Sequence, residues 1–199
     1  MGYQNYTVLN KEPRYITATD IVTPSVAKDL MSLVDDRGCV SEWDENPHTL
    51  EYQIANPFSR NERNIDAKDL EVLPELFQVG QSFLRNMNRD LNNTICEVVT
   101  GYHGFWIMKY EEGAEFAIHS DWGTSPESIM PPVVATLTVK LNDNYEGGEL
   151  SHFAGPHSYG VDIPLYGGAV HDGFTDHKVS KITKGSRYAL VIHYTGSIK

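Results

Sequence analysis

The spacing of apolar residues changes about halfway along the chain. In the first half a helix is predicted over residues 23–36, where a Thr-Pro pair suits a helix start. Its apolar side chains recur at helical spacing, at Val26, Leu30 and Val34. A second helical pattern covers residues 67–92, and one short strand is predicted within residues 48–54.

From about residue 95 the apolar period becomes two, which is the period of a strand. The strand-like pieces are separated by Gly, Pro, Asn and Asp. They are ICEVVTGYHGFWIMKYEEG, EFAIHSD, PVVATLTVKLND, GELSHFA, GGAVHDG, HKVSKI and SRYALVIHYTG. No helical pattern lies between them, so an antiparallel sandwich or barrel is predicted rather than a parallel sheet. The predicted fold class is α+β, with N-terminal helices (20–92) supporting a jelly roll (95–195).

Composition and charge exclude several classes of partner. The chain of 199 residues has the length of one well-buried domain. Its formal net charge of −11 repels phosphate backbones, so no nucleic-acid partner is predicted. Two cysteines, Cys39 and Cys96, form no disulfide framework and favour a reducing compartment. With no signal peptide or membrane-spanning run, a soluble cytoplasmic protein without a membrane partner is predicted, and its oligomeric state is left open.

The piece EFAIHSD ends in two potential metal ligands, His119 and Asp121. Residues two apart in an extended chain share one face, so the imidazole and the carboxylate point the same way. Such a pair forms either half of a metal site or a surface ion pair. Because the chain has eight histidines, one H-x-D match is weak evidence without a third ligand.

The segment GGAVHDGFTDHKVSKITKGSRYALVIHY contains His177 and, after a strand and a Lys-Gly turn, Arg187. Two histidines and one carboxylate can occupy one face of an octahedron around Fe(II) and leave three positions open. A 2-oxo acid can fill two of these positions and dioxygen the third. A second carboxylate on that acid needs a fixed cation, and the planar fork of arginine suits it. Arg187 is predicted on the strand next to that of His177.

Taken together, these segments resemble the Fe(II)/2-oxoglutarate-dependent dioxygenases, specifically the prolyl 4-hydroxylase-like branch. The resemblance covers about residues 100–195 and rests on YEEGAEFAIHSD, LNDNYEGGEL, the later His177 and VSKITKGSRYALVIHY, all in family order. It implies a double-stranded β-helix and a single dioxygenase domain over residues 1–199. It also implies that His119, Asp121 and His177 bind iron. Arg187 is then expected to bind the 5-carboxylate of 2-oxoglutarate, with Tyr110 lining the cosubstrate pocket.

The activity implied by the resemblance is hydroxylation of an unactivated C–H bond with Fe(II), 2-oxoglutarate and O2. Asp121 favours hydroxylation, because the related halogenases have a small residue at the matching position. The expected substrate is a prolyl or other amino-acid residue in a peptide or protein. A free amino acid or small metabolite is the alternative, and a non-catalytic jelly-roll binding protein is an alternative of another class.

Several further residues carry open or weaker expectations. Gly147 and Gly148 are predicted to mark a tight approach to a neighbouring strand. Lys140 stands where relatives often have an aromatic residue, and it is either a second cation for the cosubstrate or a solvent-facing side chain. His171 is predicted on the strand before the ligand His177. Ordinary surface or packing roles are predicted for the remaining histidines, which are His48, His103, His152, His157 and His193. The loop 122–132 is predicted to contact the primary substrate.

Overall fold

The computed structural model describes residues 6–10, 15–41, 46–55, 96–122 and 133–198. The second helical pattern, at 67–92, lies outside the described residues, as does nearly all of the loop 122–132. The strand predicted within residues 48–54 is present. Every strand-like piece predicted after residue 95 contains at least one strand.

Helix α1 spans Pro24–Arg37 and begins where the sequence predicts. The Thr23 side chain accepts a hydrogen bond of 3.3 Å from the backbone N–H of Val26, which satisfies one of the unpaired donors of the first turn. Proline at the first helical position costs no hydrogen bond. The buried face of the helix consists of Ala27, Leu30 and Val34. This face packs on the largest sheet of the protein.

The described residues form fourteen strands. They are β1 (Tyr6–Asn10), β2 (Tyr15–Ala18), β3 (Cys39–Val40), β4 (Thr49–Ala55), β5 (Cys96–Tyr110), β6 (Phe116–His119), β7 (Val133–Lys140), β8 (Glu146–Gly147), β9 (Leu150–Ala154), β10 (His157–Gly160), β11 (Gly168–Asp172), β12 (His177–Val179), β13 (Ile182–Lys184) and β14 (Arg187–Ile198). The main sheet has the order β1-β2-β11-β7-β14-β5-β4-β3, and the minor sheet has the order β10-β9-β12-β6. β13 and β8 form a separate two-stranded sheet. All of these pairings are antiparallel, which confirms the predicted jelly roll.

The two faces of the main sheet carry different residues because side chains alternate along each strand. One face packs against α1 and is apolar, with Phe105, Ile107, Leu137, Leu190 and Ile192 all buried. The other face looks towards the minor sheet and is partly polar. Its inward positions include Thr136, Thr138, Lys140, His171, Arg187 and His193. The polar residues of the sheet are therefore collected between the two sheets.

Residues 6–10 and 15–18 form two strands that the sequence-based prediction does not contain. β1 and β2 extend the main sheet, and β2 pairs with β11 through Tyr15 opposite His171 and Ala18 opposite Gly168. This pairing joins residues that are far apart in the sequence, so no local apolar pattern predicts it. A second difference concerns His177 and Arg187, which were predicted on neighbouring strands. They lie on β12 of the minor sheet and β14 of the main sheet, so they belong to different sheets instead.

Within the described part of the chain, no helix is both long enough and apolar enough to cross a bilayer.

The helix start supplies a test of the fold. Replacing Thr23 with Ala removes the oxygen that accepts from Val26 N–H, and we expect the free energy of unfolding to fall by about 1 kcal/mol. Urea denaturation followed by far-UV circular dichroism measures this change. Ser25→Ala is the matched control, since Ser25 is exposed inside the helix and should change stability by less than about 0.5 kcal/mol. Equal effects of the two substitutions would contradict the capping role.

Candidate active site

Two rows of polar residues face each other between the sheets. In the minor sheet His152, His177 and His119 lie side by side on β9, β12 and β6. In the main sheet His171, Thr136 and His193 lie side by side on β11, β7 and β14. Cross-strand neighbours in register share one face, so each row presents its side chains together. The sandwich thus concentrates five histidines in one place.

Asp121, which follows β6, lies between these two rows. Its Oδ2 accepts a hydrogen bond of 2.5 Å from Thr136 Oγ1. The Nε2 atom of His119 lies 3.6 Å from Oδ1, and that of His177 lies 3.7 Å from Oδ2. Ligand atoms of His119, Asp121 and His177 all lie within 4.8 Å of one another, a spacing suited to a shared metal ion. The structure therefore brings together the three predicted metal ligands.

The hydrogen bonds of the two histidines prepare them for metal binding. His119 Nδ1 is 2.8 Å from the Ala117 carbonyl oxygen, and His177 Nδ1 is 2.9 Å from that of Thr175. A carbonyl oxygen only accepts, so Nδ1 must carry the proton in each ring. The lone pair is then left on Nε2, which faces Asp121. Two neutral imidazole nitrogens and one carboxylate fit the donor set of an Fe(II) ion.

The charges of the cluster are set by burial and by mutual contact. Burial alone raises the pKa of Asp121, but the facing rings of His193, His177 and His171 and the Thr136 hydrogen bond outweigh it and hold that pKa well below its usual range. Burial, followed by the neighbouring imidazole, lowers the pKa of both His119 and His177. At neutral pH the site therefore contains an ionised carboxylate and neutral imidazoles, which are the ligand forms that metals need.

Two further histidines contact the same carboxylate. His193 Nε2 lies 3.6 Å from Oδ1 of Asp121, and His171 Nε2 lies 3.9 Å from Oδ2. His171 is on the strand before His177, as predicted. The prediction that His193 has an ordinary role was wrong. Its spacing from Arg187 was the available signal, because residues 187 and 193 are an even number apart on one strand and so share its inward face.

The other histidines divide between the cluster and the surface. His152 is fully buried, with its ring 4.7 Å from that of His171 and 6.1 Å from that of His177. It has a packing role, as predicted, but within the cluster. His48 and His157 are exposed, and the side chain of His103 lies outside the described residues.

A cavity of about 510 Å³ lies at the Arg187 end of the inter-sheet space. Leu150 lines it and is two residues from His152 along β9, so the cavity begins about 7 Å from the histidine cluster. Arg187 is only 4% exposed, yet its side chain lines the cavity. Among the described residues no carboxylate forms an ion pair with it. A buried guanidinium without a partner of opposite charge is suited to an anionic ligand.

Tyr110, on β5, is paired with Arg187 and supports it. The Arg187 Cζ atom lies 5.2 Å from the centroid of the Tyr110 ring, which is within cation–π range. Tyr110 itself is 4% exposed. The two residues predicted for the cosubstrate therefore lie together, with the ring of Tyr110 against the guanidinium that lines the cavity.

The glycines of the EGGEL segment make room for this arrangement, as predicted. Gly147 has φ +78° and Gly148 has φ +68°, a region that other residues rarely adopt. A Cβ on Gly147 would lie 2.1 Å from the Lys181 carbonyl oxygen. A Cβ on Gly148 would lie 2.4 Å from Ile182 Cδ1 and 3.0 Å from Arg187 Cδ. The tight approach to β13 and the position of the arginine both depend on these two residues.

Relatives by sequence share the name PKHD-type hydroxylase. The protein of that name from Pseudomonas putida is 34% identical over 91 residues, covering 42% of this chain and 39% of the relative. The chain thus spans about two fifths of the length of this relative. A PKHD-type hydroxylase from Bordetella pertussis is 25% identical over 181 residues, covering 86% of this chain and 74% of the relative. No protein-family model matches the chain.

Solved structures share the fold. An oxidoreductase of the 2OG-Fe(II) oxygenase family from Burkholderia pseudomallei has a TM-score of 0.66 at 12% identity, over 93% of this chain and 88% of its own. A second structure is a prolyl hydroxylase from Trichoplax adhaerens in complex with a peptide fragment of the hypoxia inducible factor oxygen degradation domain. Its TM-score is 0.65 at 16% identity, and the match covers 94% of this chain and 85% of the prolyl hydroxylase. The chain is similar in sequence to PKHD-type hydroxylases and shares its fold with 2OG-Fe(II) oxygenases and prolyl hydroxylases. The resemblance predicted from the motifs is confirmed, and with it the double-stranded β-helix.

The buried cluster predicts how stability depends on pH. Burial lowers the pKa of His152 to about 2, whereas an unfolded histidine titrates near 6.5. The unfolded state binds more protons below pH 6.5, so the free energy of unfolding should decrease as the pH falls from 7 to 5. Each imidazole that stays neutral in the folded state contributes about 1.4 kcal/mol per pH unit to this slope. His152→Leu removes one of these imidazoles, so it should make the slope shallower by about 1.4 kcal/mol per pH unit.

Urea denaturation of the metal-free protein at pH 7, 6 and 5 measures that slope. His157→Leu is the control, since His157 is exposed on β10 and should leave the slope unchanged. Asp121 does not contribute in this window. Its lowered pKa gives stability that is fully present above about pH 4 and is lost only at lower pH. A slope that His152→Leu leaves unaltered would show that this ring is protonated in the folded protein.

Proposed function

We propose that this protein is an Fe(II)- and 2-oxoglutarate-dependent dioxygenase that hydroxylates an unactivated C–H bond. The proposal rests on one observation, which is that a potential metal site and a buried cation lie within the same inter-sheet space. Three potential metal ligands, His119, Asp121 and His177, lie together, and the buried guanidinium of Arg187, which has no ion-pair partner among the described residues, lines the adjoining cavity. A metal site and a fixed cation side by side suit a cosubstrate that is both a metal ligand and a dicarboxylate. We further propose that residues 20–92 and the jelly-roll core (95–195) act as one catalytic domain.

In this proposal His119, Asp121 and His177 bind Fe(II), and Arg187 binds the far carboxylate of 2-oxoglutarate. Tyr110 lies at the same end of the pocket, against the guanidinium. When bound, the metal supplies activation of dioxygen coupled to decarboxylation of the cosubstrate. The residues of the chain bind and orient the reactants. The neutral imidazoles and the single carboxylate leave a net positive charge on the metal, which favours an anionic cosubstrate.

Burial of the histidine cluster also favours the proposed reaction. His171 and His177 are nearly inaccessible to solvent, and the buried residues Leu150 and Val179 are paired on β9 and β12, two residues from His152 and His177. A dry site strengthens the interactions between charged groups and excludes water from the reaction. The Thr136 hydrogen bond holds one oxygen of Asp121, so the carboxylate keeps its orientation when the metal binds.

For the substrate, we propose a prolyl or other residue of a peptide or protein, acted on in the cytoplasm. Support for a peptide comes from the structural neighbour that was solved with a peptide fragment. Cytoplasmic location is supported by the exposed free thiol of Cys39, which suits a reducing compartment. The proposed test is mass spectrometry of Pro-rich peptides and free amino acids incubated with Fe(II) and 2-oxoglutarate. One added oxygen on a peptide supports the proposal, and oxygen added only to free amino acids assigns a small-molecule substrate.

The same incubation separates an enzyme from a non-catalytic jelly-roll binding protein. An enzyme of this kind converts 2-oxoglutarate to succinate, at a low rate even without its primary substrate. Succinate formation that depends on Fe(II) supports the proposal. Binding of 2-oxoglutarate without any succinate, with every candidate substrate present, assigns the protein to the non-catalytic class.

The metal ligands give the first prediction for this function. His119→Ala and His177→Ala should each weaken Fe(II) binding by more than roughly 100-fold, because loss of an outer partner alone typically costs 10- to 100-fold. Asp121→Ala should have a comparable effect. Anaerobic calorimetry measures the affinity, and His157→Ala is the control because that ring is exposed and outside the cluster. Unchanged affinity in both ligand-histidine variants would place the metal elsewhere.

The cosubstrate anchor gives a second prediction. Arg187→Ala should weaken 2-oxoglutarate binding by about 2 kcal/mol or more, roughly 30-fold, while Fe(II) affinity stays near that of the parent. Arg187→Lys should recover only part of the loss, since an ammonium cannot reproduce the two parallel hydrogen bonds of the guanidinium fork. Titration of the metal-loaded protein with 2-oxoglutarate measures the effect. Full recovery in Arg187→Lys would show that charge alone, without the fork geometry, holds the ligand.

A further inference from the structure

A second cation lies beside Arg187 in the cavity. Lys140 ends β7 and shares the inward face of that strand with Thr136, which hydrogen-bonds Asp121. It is paired with Ala189 of β14, so Arg187, two residues away on the same face, is its diagonal neighbour. Diagonal neighbours of this kind have Cα atoms about 7–8 Å apart. Two long cationic side chains at that separation can reach one anion.

Tyr145 positions the amine of Lys140 without neutralising it. Lys140 Nζ lies 5.8 Å from the centroid of the Tyr145 ring, and both residues line the cavity. Among the described residues no carboxylate forms an ion pair with Lys140. Lys109, by contrast, pairs with Asp35 and Glu111 on the other side of the sheet. The positive charge of Lys140 is thus held at the cavity by a ring and is available to a ligand.

The acidic residues around the cavity make this second charge important. Asp143, Glu149 and Asp162 also line it. The Glu149 carboxylate accepts a hydrogen bond from Ser180, whereas Asp143 and Asp162 have no hydrogen-bond donor among the described residues. A dianionic ligand is repelled by these carboxylates. One guanidinium offsets only part of that repulsion, and an ammonium beside it adds a second attractive charge at the same end of the cavity.

We propose that Lys140 is a second anchor for the distal carboxylate of the cosubstrate, and that the Arg187–Lys140 pair makes the site selective for dicarboxylic over monocarboxylic 2-oxo acids. This inference rests on the proposed function, since it concerns the cosubstrate of that same site. The distal carboxylate is the relevant one because Lys140 and Arg187 lie together at the end of the inward face away from Asp121. Lys140 is therefore a specificity-determining residue.

Calorimetric titration of the Mn(II)-loaded protein tests the proposal with two ligands. 2-Oxoglutarate has the distal carboxylate, and 2-oxopentanoate has the same chain length without it. Lys140→Met keeps the length of the side chain and removes its charge. We expect the Kd for 2-oxoglutarate to rise roughly threefold to tenfold, while the Kd for 2-oxopentanoate changes less than about twofold. Lys140→Arg should stay near the parent, and raising the salt concentration to 0.5 M should shrink the difference.

Lys178→Met is the matched control. Lys178 Nζ also lies over an aromatic ring, 5.7 Å from the centroid of Phe153, and its removal changes the net charge equally. It lies on β12 between two inward-facing residues, so its side chain points away from the inter-sheet space. This variant should bind both ligands as the parent does.

The outcomes distinguish this inference from the function on which it rests. An unchanged preference for 2-oxoglutarate in Lys140→Met, with a large loss in Arg187→Ala, overturns the role of Lys140 and leaves the proposed function in place. Equal losses in Lys140→Met and Lys178→Met also overturn it, because they indicate a general effect of net charge. If the Mn(II)-loaded parent binds no 2-oxoglutarate, the proposed function itself is wrong.

Discussion

The functional site depends on one carboxylate that joins two sheets. Asp121 follows an edge strand of the minor sheet, and its Oδ2 accepts a hydrogen bond from Thr136 in the centre of the main sheet. Four imidazole nitrogens lie within 3.9 Å of its two oxygens. Burying a carboxylate is costly unless donors and positive charge surround it. The Thr136 hydroxyl is such a donor, and a metal ion held by His119, Asp121 and His177 would supply the positive charge that neutral rings lack.

The alternation of the main sheet explains how such a site coexists with a stable fold. The face towards α1 carries buried apolar side chains, among them Phe105 and Ile107 on β5 and Leu190 and Ile192 on β14. Burial of these apolar side chains against α1 stabilises the main sheet, whatever residues its other face carries. The inward face is then available for polar residues, which run from His193 near Asp121 to Arg187 at the cavity. A single strand, β14, contributes to the apolar core and to both parts of the site.

Electrostatics divides the inter-sheet space into two ends with different chemistry. Around Asp121, burial lowers the pKa values of His119, His177 and His193, so these rings are neutral and the ligand set has one negative charge in total. At the other end, Arg187 and Lys140 are positive and face the cavity. A ligand with an anionic group at each end, one for a metal and one for the cations, matches this distribution. The apolar residues between the ends, Leu150 and Val179 among them, suit the methylene carbons of such a ligand.

The sequence by itself determined the elements and the ligand types. Thr23 and Pro24 marked the start of α1, the period of two marked the strands after residue 95, and the spacing of His119 and Asp121 indicated one shared face. These are local properties, set by backbone geometry and by side chains close in the chain. The motifs also indicated the resemblance to the Fe(II)/2-oxoglutarate-dependent dioxygenases, because they occur in the order typical of that family.

Tertiary structure alone decided which distant residues meet. The pairing of β2 with β11 and the approach of His171 and His193 to Asp121 join residues remote in sequence. The direction of Lys140 was likewise open in the sequence. Alternation gives a strand residue two possible faces, and only the packing of α1 on one side and of the minor sheet on the other decides which face borders the cavity.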